Sequence, residues 1–423
     1  MTERQKNARI SAMPIQLIHV SDIHFGSGES HGRINPETGL NVRFEDFVAA
    51  LEKVVTYSID NDADVFLFSG DAYKNASPEP IYQKMFARQL RRLSEKDIKT
   101  ILVVGNHDQI LRSTQSHAMS VFQSLEVPGV LTIDKPTSVL LDTKNGALQL
   151  VGLPHVTKHN LMAMDKYTGF TAKQIDDVLI QHVTDILKDF YSELDAAIPS
   201  VVTAHMSLDR ALAGIEEELL IGYTLTFPSD IFINDKIDYV ALGHIHKHQV
   251  LREKNPIIAY AGSLERVDFG EEKEDKGFIH VELERNNTRF KFHSISPRTF
   301  VTVDTDVRSA DDPTEAIVKK IQEEKKPGCV LRVRYTINQE NMMDVREHEL
   351  FAAAKDCLSV RVQPDIVPEK MRGRLPELTE SSVTSPTKAL EMYLDEVAPE
   401  RKSRLMQRAQ DVMSQVSAEL HKE

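Results

Sequence analysis

The sequence predicts an α/β fold in which buried strands alternate with helices, and two observations predict it. Short apolar runs recur, each ending in polar residues, and longer stretches with helical spacing separate them. The runs are IQLIHV (Ile15–Val20), VFLFS (Val65–Ser69), TILVV (Thr100–Val104), SVVTA (Ser200–Ala204), DYVAL (Asp238–Leu242) and PIIAYA (Pro256–Ala261). Between the first two, Phe44, Phe47, Val48, Leu51, Val54 and Val55 recur at three and four residues, which gives a helix able to pack on a sheet.

The character changes near Pro297. Residues from about Phe300 to Val367 read as a small α+β domain, with strand candidates FVTVDTD, CVLRVRYTI and SVRVQP around an Ala/Ile/Lys-rich helix. The Pro/Arg/Gly stretch Pro364–Pro376 reads as linker. Two amphipathic helices follow. One starts at Ser385-Pro386, a cap with proline at the first helical position, and carries Ala389, Leu390, Tyr393 and Leu394. The other carries Leu405, Ala409, Val412, Val416 and Leu420. The expected division is a 1–14 extension, a main domain at 15–298, an appended domain at 299–367, a linker at 368–384 and helices at 385–423.

A length of 423 residues suits one large domain with smaller appendages. With 41% hydrophobic and 27% charged residues, the chain can bury a core and is neither disordered nor fibrous. The net charge of −13 argues against adhesion of the whole surface to nucleic acid or anionic membranes. It leaves room for a locally basic face, and residues 325–374 hold ten Lys and Arg against seven Asp and Glu. The only cysteines, Cys329 and Cys357, form no CxxC and exclude a disulfide framework or zinc ribbon. The basic N-terminus lacks a following apolar stretch, and no run is long enough to span a bilayer, so the expectation is a cytoplasmic protein without a membrane role, to which the resemblance described below adds association with the nucleoid.

Five apolar runs are followed at once by metal-ligand residue types: Ser21-Asp22-Ile23-His24, Gly70-Asp71, Gly105-Asn106-His107-Asp108, Ala204-His205 and Gly243-His244-Ile245-His246. Sites in α/β sheets lie beyond the carboxyl ends of strands, so these loops should converge. Imidazole and carboxylate ligands without thiolates suit manganese, iron or zinc, and a shared Asp can bridge two ions. The glycines before Asp71, Asn106 and His244 fit sharp turns that admit close approach. Scattered Asp and His capping strand ends is the competing reading for any one motif, and the five together outweigh it.

This ordered set resembles the calcineurin-like metallophosphoesterase superfamily. Gly262–Glu272 (GSLERVDFGEE) and His205–Pro228 (HMSLDRALAGIEEELLIGYTLTFP) are similar to the SbcD-type nucleases, relatives of the eukaryotic meiotic recombination nuclease. The resemblance implies a β-sandwich core flanked by helices, an α+β cap facing DNA and C-terminal helices that bind an SbcC-like ATPase. It places Asp22, His24, Asp71 and His246 on one divalent ion and Asp71, Asn106, His205 and His244 on a second, with manganese the first choice of metal. His107 falls near the scissile phosphate and Asp108 would orient its ring. The implied reaction is hydrolysis of double- and single-stranded DNA at ends and hairpins, by a homodimer within a heterotetramer.

Lys74 stands where such sequences often carry His or Asp, and it reads either as a phosphate contact or as a solvated lysine. Ser27–Arg43 reads as a loop insertion near the site. His19 reads as packed core, and His155 and His248 as surface or supporting residues. The enzyme alternative on the same core is a phosphomonoesterase or cyclic-nucleotide phosphodiesterase, and the alternative from another class is a scaffold without catalysis.

Overall fold

A computed structural model of the chain describes residues 13–109, 116–158, 167, 169–212, 225–368, 387, 388, 390, 391, 394 and 399–420. The chain divides into two compact units, one of Met1–Thr302, Glu324–Arg332 and Ala354–Arg361, the other of Val303–Glu323, Val333–Ala353 and Val362–Glu423.

The expected α/β architecture is present in the first unit. Its elements in chain order are β1 (Ile15–Val20), α1 (Val42–Asp60), β2 (Val65–Phe68), α2 (Pro80–Ser94), β3 (Lys99–Val103), α3 (Ser120–Ser124), β4 (Val130–Ile133), β5 (Thr137–Thr143), β6 (Gly146–Leu153), α4 (Ala172–Glu193) and β7 (Ser200–His205). There follow β8 (Ser207–Leu208), β9 (Thr226–Phe227), β10 (Tyr239–Gly243), β11 (Gln249–Arg252), β12 (Ile257–Tyr260), β13 (Gly277–Leu283) and β14 (Arg289–Ser294). Two six-stranded sheets result, ordered β14-β13-β1-β2-β3-β4 and β11-β12-β10-β7-β6-β5. Within them β1, β2, β3 and β4 run parallel, as do β6, β7, β10 and β12.

The central strands are apolar throughout because both faces are buried. Side chains alternate along a strand, so Ile15 and Leu17 join Val65, Leu67, Ile101 and Val103 in one core with Val201, Tyr239 and Ala241 of the second sheet. Ile18, Val20, Phe66 and Phe68 turn the other way, onto Phe44, Phe47, Leu51 and Phe86 of α1 and α2. On the second sheet Val202, Val240 and Ile258 meet Ile175, Leu179, Val183 and Leu187 of α4. The layers therefore run helix, sheet, sheet, helix. Local signals fix the helix starts: Asn41 accepts from the Arg43 N–H, Pro80 opens α2, and Thr171 and Gln174 form a capping box. His19 lies in the inter-sheet core as expected, fully buried, with its Nδ1 2.9 Å from the Tyr239 hydroxyl.

Further on come β15 (Phe300–Asp306), α5 (Pro313–Glu324), β16 (Val330–Asn338), α6 (Glu347–Ala353) and β17 (Ser359–Val367), with the strands paired in the order β15-β16-β17. In the second unit Ile317 and Ile321 of α5 are buried along with Val333, Tyr335, Ile337 and Leu350. The reading of linker from Pro364 is corrected, because Pro364–Val367 completes β17. Helix α7 (Lys402–Leu420) matches the second C-terminal stripe, with Leu405 and Val412 exposed. Of the first stripe, Leu390 and Leu394 are helical, and Leu394 is buried. Ser385, Pro386, Ala389, Tyr393, most of the 368–384 linker, all but the last two residues of the 1–14 extension and residues 213–224 lie outside the described residues. Among the described residues no helix is long and apolar enough to cross a membrane.

Candidate metal centre

Each ligand-bearing motif begins where a parallel strand ends. Asp22 and His24 follow β1, Asp71 follows β2, Asn106, His107 and Asp108 follow β3, His205 closes β7, and His244 and His246 follow β10. The first six belong to one sheet and the three others to the second. The turns that bring them together are strained. Asp22, His24, Asp71 and His244 have φ of 54°, 51°, 60° and 97°, where non-glycine residues cost about 1–3 kcal/mol each. Neighbouring chain holds them there: Asp22 N–H donates to the Gly70 carbonyl at 3.0 Å, His24 N–H to the Asp71 carbonyl at 3.1 Å, and His244 N–H to the Asp22 carboxylate at 3.1 Å.

Two glycines leave the space the site needs. A Cβ on Gly70, whose φ is +105°, would stand 2.2 Å from His205 Nδ1, and one on Gly105 would stand 2.1 Å from Asp71 Oδ1. Both positions are cradles for a ligand side chain.

The predicted residues converge in overlapping clusters. Asp22, His24 and His246 offer ligand atoms within 4.8 Å of one another, as do Asp71, His205 and His244, and a third triple is His24, Asp71 and His107. His246 Nε2 faces His24 Nε2 at 2.9 Å. Asn106 Oδ1 lies 3.0 Å from His205 Nε2 and 2.9 Å from His244 Nδ1. Asp71 Oδ2 lies 3.1 Å from His205 Nε2 and 3.7 Å from His24 Nε2, so it stands between the clusters. The donors are nitrogens and carboxylate or amide oxygens without sulfur, a set that fits borderline divalent cations such as manganese, iron or zinc.

Charge within the site is mutual. Burial pushes the Asp71 carboxyl up, but the adjacent His205 ring more than reverses this and holds it well below the usual carboxylate range. Burial pushes His205 down and Asp71 overrides it, raising the ring to about 9. Burial raises Asp22 and keeps His24 and His244 well below the ordinary histidine value, so the two rings are neutral and keep a lone pair for coordination. His246 is opposed by burial and raised to about 9 by Glu271.

His107 is exposed at the rim, its ring centroid 4.8 Å from that of His24. Its Nδ1 is 2.8 Å from the Lys74 carbonyl and its backbone N–H donates to Asp71 Oδ1 at 2.9 Å. Orientation of this ring by Asp108 is therefore corrected. The buried Asp108 carboxylate accepts instead from the N–H groups of Asp71 at 2.9 Å, Ala72 at 3.1 Å, Tyr73 at 3.4 Å and Gly105 at 3.1 Å. The left-handed turn at Asp71 points consecutive N–H groups inward, and an anion must meet them. Lys74 contributes its carbonyl to His107 while its side chain is exposed.

Sequence reasoning missed Glu271 and Lys276. Glu271 Oε1 is 2.7 Å from His246 Nδ1, and Lys276 Nζ is 2.7 Å from Glu271 Oε2. Glu271 is the penultimate residue of the GSLERVDFGEE run, but nothing in its spacing pairs it with a histidine 25 positions earlier. His155 packs against the site, its ring 5.7 Å from that of His244, whereas His248 stacks on Phe292.

A pair of sheets whose strand ends gather histidine, aspartate and asparagine defines the class. The chain belongs to the calcineurin-like phosphoesterase family, whose model matches residues 15–248. Among characterised relatives it is 24% identical over 359 residues to the DNA double-strand break repair protein Mre11 of Methanosarcina mazei, covering 84% of this chain and 50% of that protein. It is 24% identical over 348 residues to the Mre11 of Methanocaldococcus jannaschii, covering 78% and 83%. It is 22% identical over 275 residues to the SbcD component of the nuclease SbcCD from Escherichia coli K12, covering 63% and 64%. The chain spans about half the length of the Methanosarcina relatives it matches.

Proposed function

We propose that this chain is a metal-dependent DNA nuclease that hydrolyses phosphodiester bonds at duplex ends and hairpins, working with an SbcC-like ATPase as a dimer within a heterotetramer. The observation that carries the reading is the placement of Asp71, whose Oδ2 lies 3.1 Å from His205 and 3.7 Å from His24 and so can serve two cations. Asp22, His24, Asp71 and His246 would hold one ion, and Asp71, Asn106, His205 and His244 the other, with manganese the first choice. Divalent ions held by these residues would supply neutralisation of charge on phosphoryl oxygens and a lowered pKa for an attacking water.

The protein's own residues orient and shape the reaction. The Lys74 carbonyl accepts a hydrogen bond from His107 Nδ1–H, so an imidazolium there carries its second proton on Nε2, available to a leaving oxygen. His107 is the catalytic residue in this reading, and Asp108 is a positioning residue that clamps the Asp71 turn. Residues 299–367 serve as a cap facing the DNA backbone, and 385–423 as the ATPase-binding helices. The names of the Mre11 and SbcD relatives support a nuclease over a small-molecule phosphatase on the same core.

The test is manganese-dependent digestion of end-labelled duplex and single-stranded DNA, with and without the ATPase, beside bis-p-nitrophenyl phosphate. Cleavage of the small diester without any cleavage of DNA would replace the nuclease by a phosphodiesterase. Metal binding without turnover of either would leave a scaffold.

A further inference from the structure

We propose that Glu271 and Lys276 form a buried clamp that fixes the tautomer and position of His246, and so set the affinity of one of the two metal sites without touching substrate. The inference rests on the dinuclear reading above and extends it to residues outside the ligand set.

His246 has two ring nitrogens with opposite duties. Nε2 faces His24 Nε2 at 2.9 Å, inside the Asp22, His24 and His246 cluster, and must offer a lone pair there. Nδ1 lies 2.7 Å from Glu271 Oε1. A carboxylate only accepts, so it holds a proton on Nδ1; when a cation displaces the other proton, the ring is left as the Nδ1–H tautomer with its lone pair on Nε2, which is the form a cation needs. Glu271 is itself held, because its other oxygen accepts from Lys276 Nζ at 2.7 Å and from the Val267 N–H at 3.1 Å.

Lys276 grips the same histidine a second time. Its Nζ donates to the His246 carbonyl at 3.1 Å, so ring and backbone of one residue are tied to one ammonium. That ammonium is fully buried and also meets Glu274 Oε2 at 2.8 Å. Arg266 completes the support, donating to the carbonyls of Glu271 at 3.0 Å and Glu274 at 2.9 Å, so the loop carrying the carboxylate is pinned. A lysine and a glutamate placed in a protein interior must stay together, since either charge alone would be left poorly compensated. The cluster of Asp71, His205 and His244 shares no residue with this network, which makes the effect selective for one site.

The experiment titrates the full-length apoprotein with Mn²⁺ and follows free ion by electron paramagnetic resonance. Wild type should take up two ions. Glu271→Gln should weaken one step about 10- to 100-fold, the usual effect of losing a partner behind a ligating histidine, and leave the other step unchanged. Because Glu271→Gln leaves the buried Lys276 with Glu274 as its one remaining carboxylate partner among the described contacts and could unfold the chain, the double variant Glu271→Gln/Lys276→Met removes both charges together and should show the same selective loss. Apoprotein thermal melting is followed alongside. Two unchanged steps in a folded variant, or equal weakening of both, would overturn the clamp. A wild-type protein that takes up fewer than two ions would overturn the dinuclear reading instead, so the two failures are distinguishable.

Discussion

Replacing Asp108 by alanine should destabilise the protein before it alters chemistry. Its carboxylate accepts from four buried N–H groups, three of them consecutive at Asp71–Tyr73 and the fourth at Gly105. Each buried donor left unmet costs about 1–3 kcal/mol, and the bonds at 2.9, 3.1 and 3.1 Å carry most of the weight. Allowing for water entering the vacated space, about 4 kcal/mol of stability should be lost. Asp108→Asn keeps one oxygen but turns an amide toward donors, so about half of that is expected. Urea unfolding of apoprotein at mildly alkaline pH measures both losses, and Mn²⁺ uptake should fall with them because the Asp71 turn loosens. Burial and then the Asp71 charge push the Asp108 carboxyl up to about 7 against the pull of the Gly105 and Asp71 N–H groups, and the measurement belongs above that value. An Asp108→Ala protein within about 1 kcal/mol of wild type, folded and metal-loaded but slow, would refute the clamp and restore a direct role in catalysis.

Other outcomes follow from the same geometry. His107→Ala should reduce kcat about 10²- to 10⁴-fold with metal content preserved, whereas His205→Ala should lose metal; equal metal loss in both, by elemental analysis, would make His107 a ligand. Burial pushes His19 down to about 3, so the unfolded chain, titrating near 6.5, takes up the proton first. Its contribution is complete above pH 6.5 and lost as pH falls toward 3. His19→Gln should therefore flatten the acid limb of stability by about 2 kcal/mol between pH 6.5 and 5, and parallel limbs in urea titrations would contradict this. Leu405→Glu places a charge on an exposed apolar position of α7 and, under the proposed function, should weaken binding of the proposed ATPase at least tenfold while leaving the proposed manganese-dependent cleavage of simple DNA intact, as pull-down and nuclease assays would register.

The doubly buried strands were legible because each is apolar on both faces, and the site was legible because ligand residue types follow those runs at once. Strands β5, β11 and β14 were harder to read. They lie at sheet edges or face solvent on one side, and their polar residues break the run. Within β6, Gln149 interrupts the pattern and is accommodated by donating to the Asp195 carbonyl and to Ser200 Oγ. Asp108 was misread through adjacency. Neighbours on a turn point their side chains apart, and this carboxylate answers the N–H groups of another loop. Glu271 was invisible for the complementary reason, since only the folded chain brings it to His246.

The candidate ligands are divided between two sheets. Asp22, His24, Asp71 and Asn106 ride on one, His205, His244 and His246 on the other, and each candidate ion would take donors from both. Such a site works as a clasp across a seam. A sideways slip of one sheet over the packed layer of Leu17, Leu67, Val201 and Tyr239 would separate the donors, so the fit of those apolar side chains sets the spacing of the two donor clusters. A methyl group gained or lost deep in that layer, far from the donor atoms, becomes a change in the electrostatics of the donor clusters.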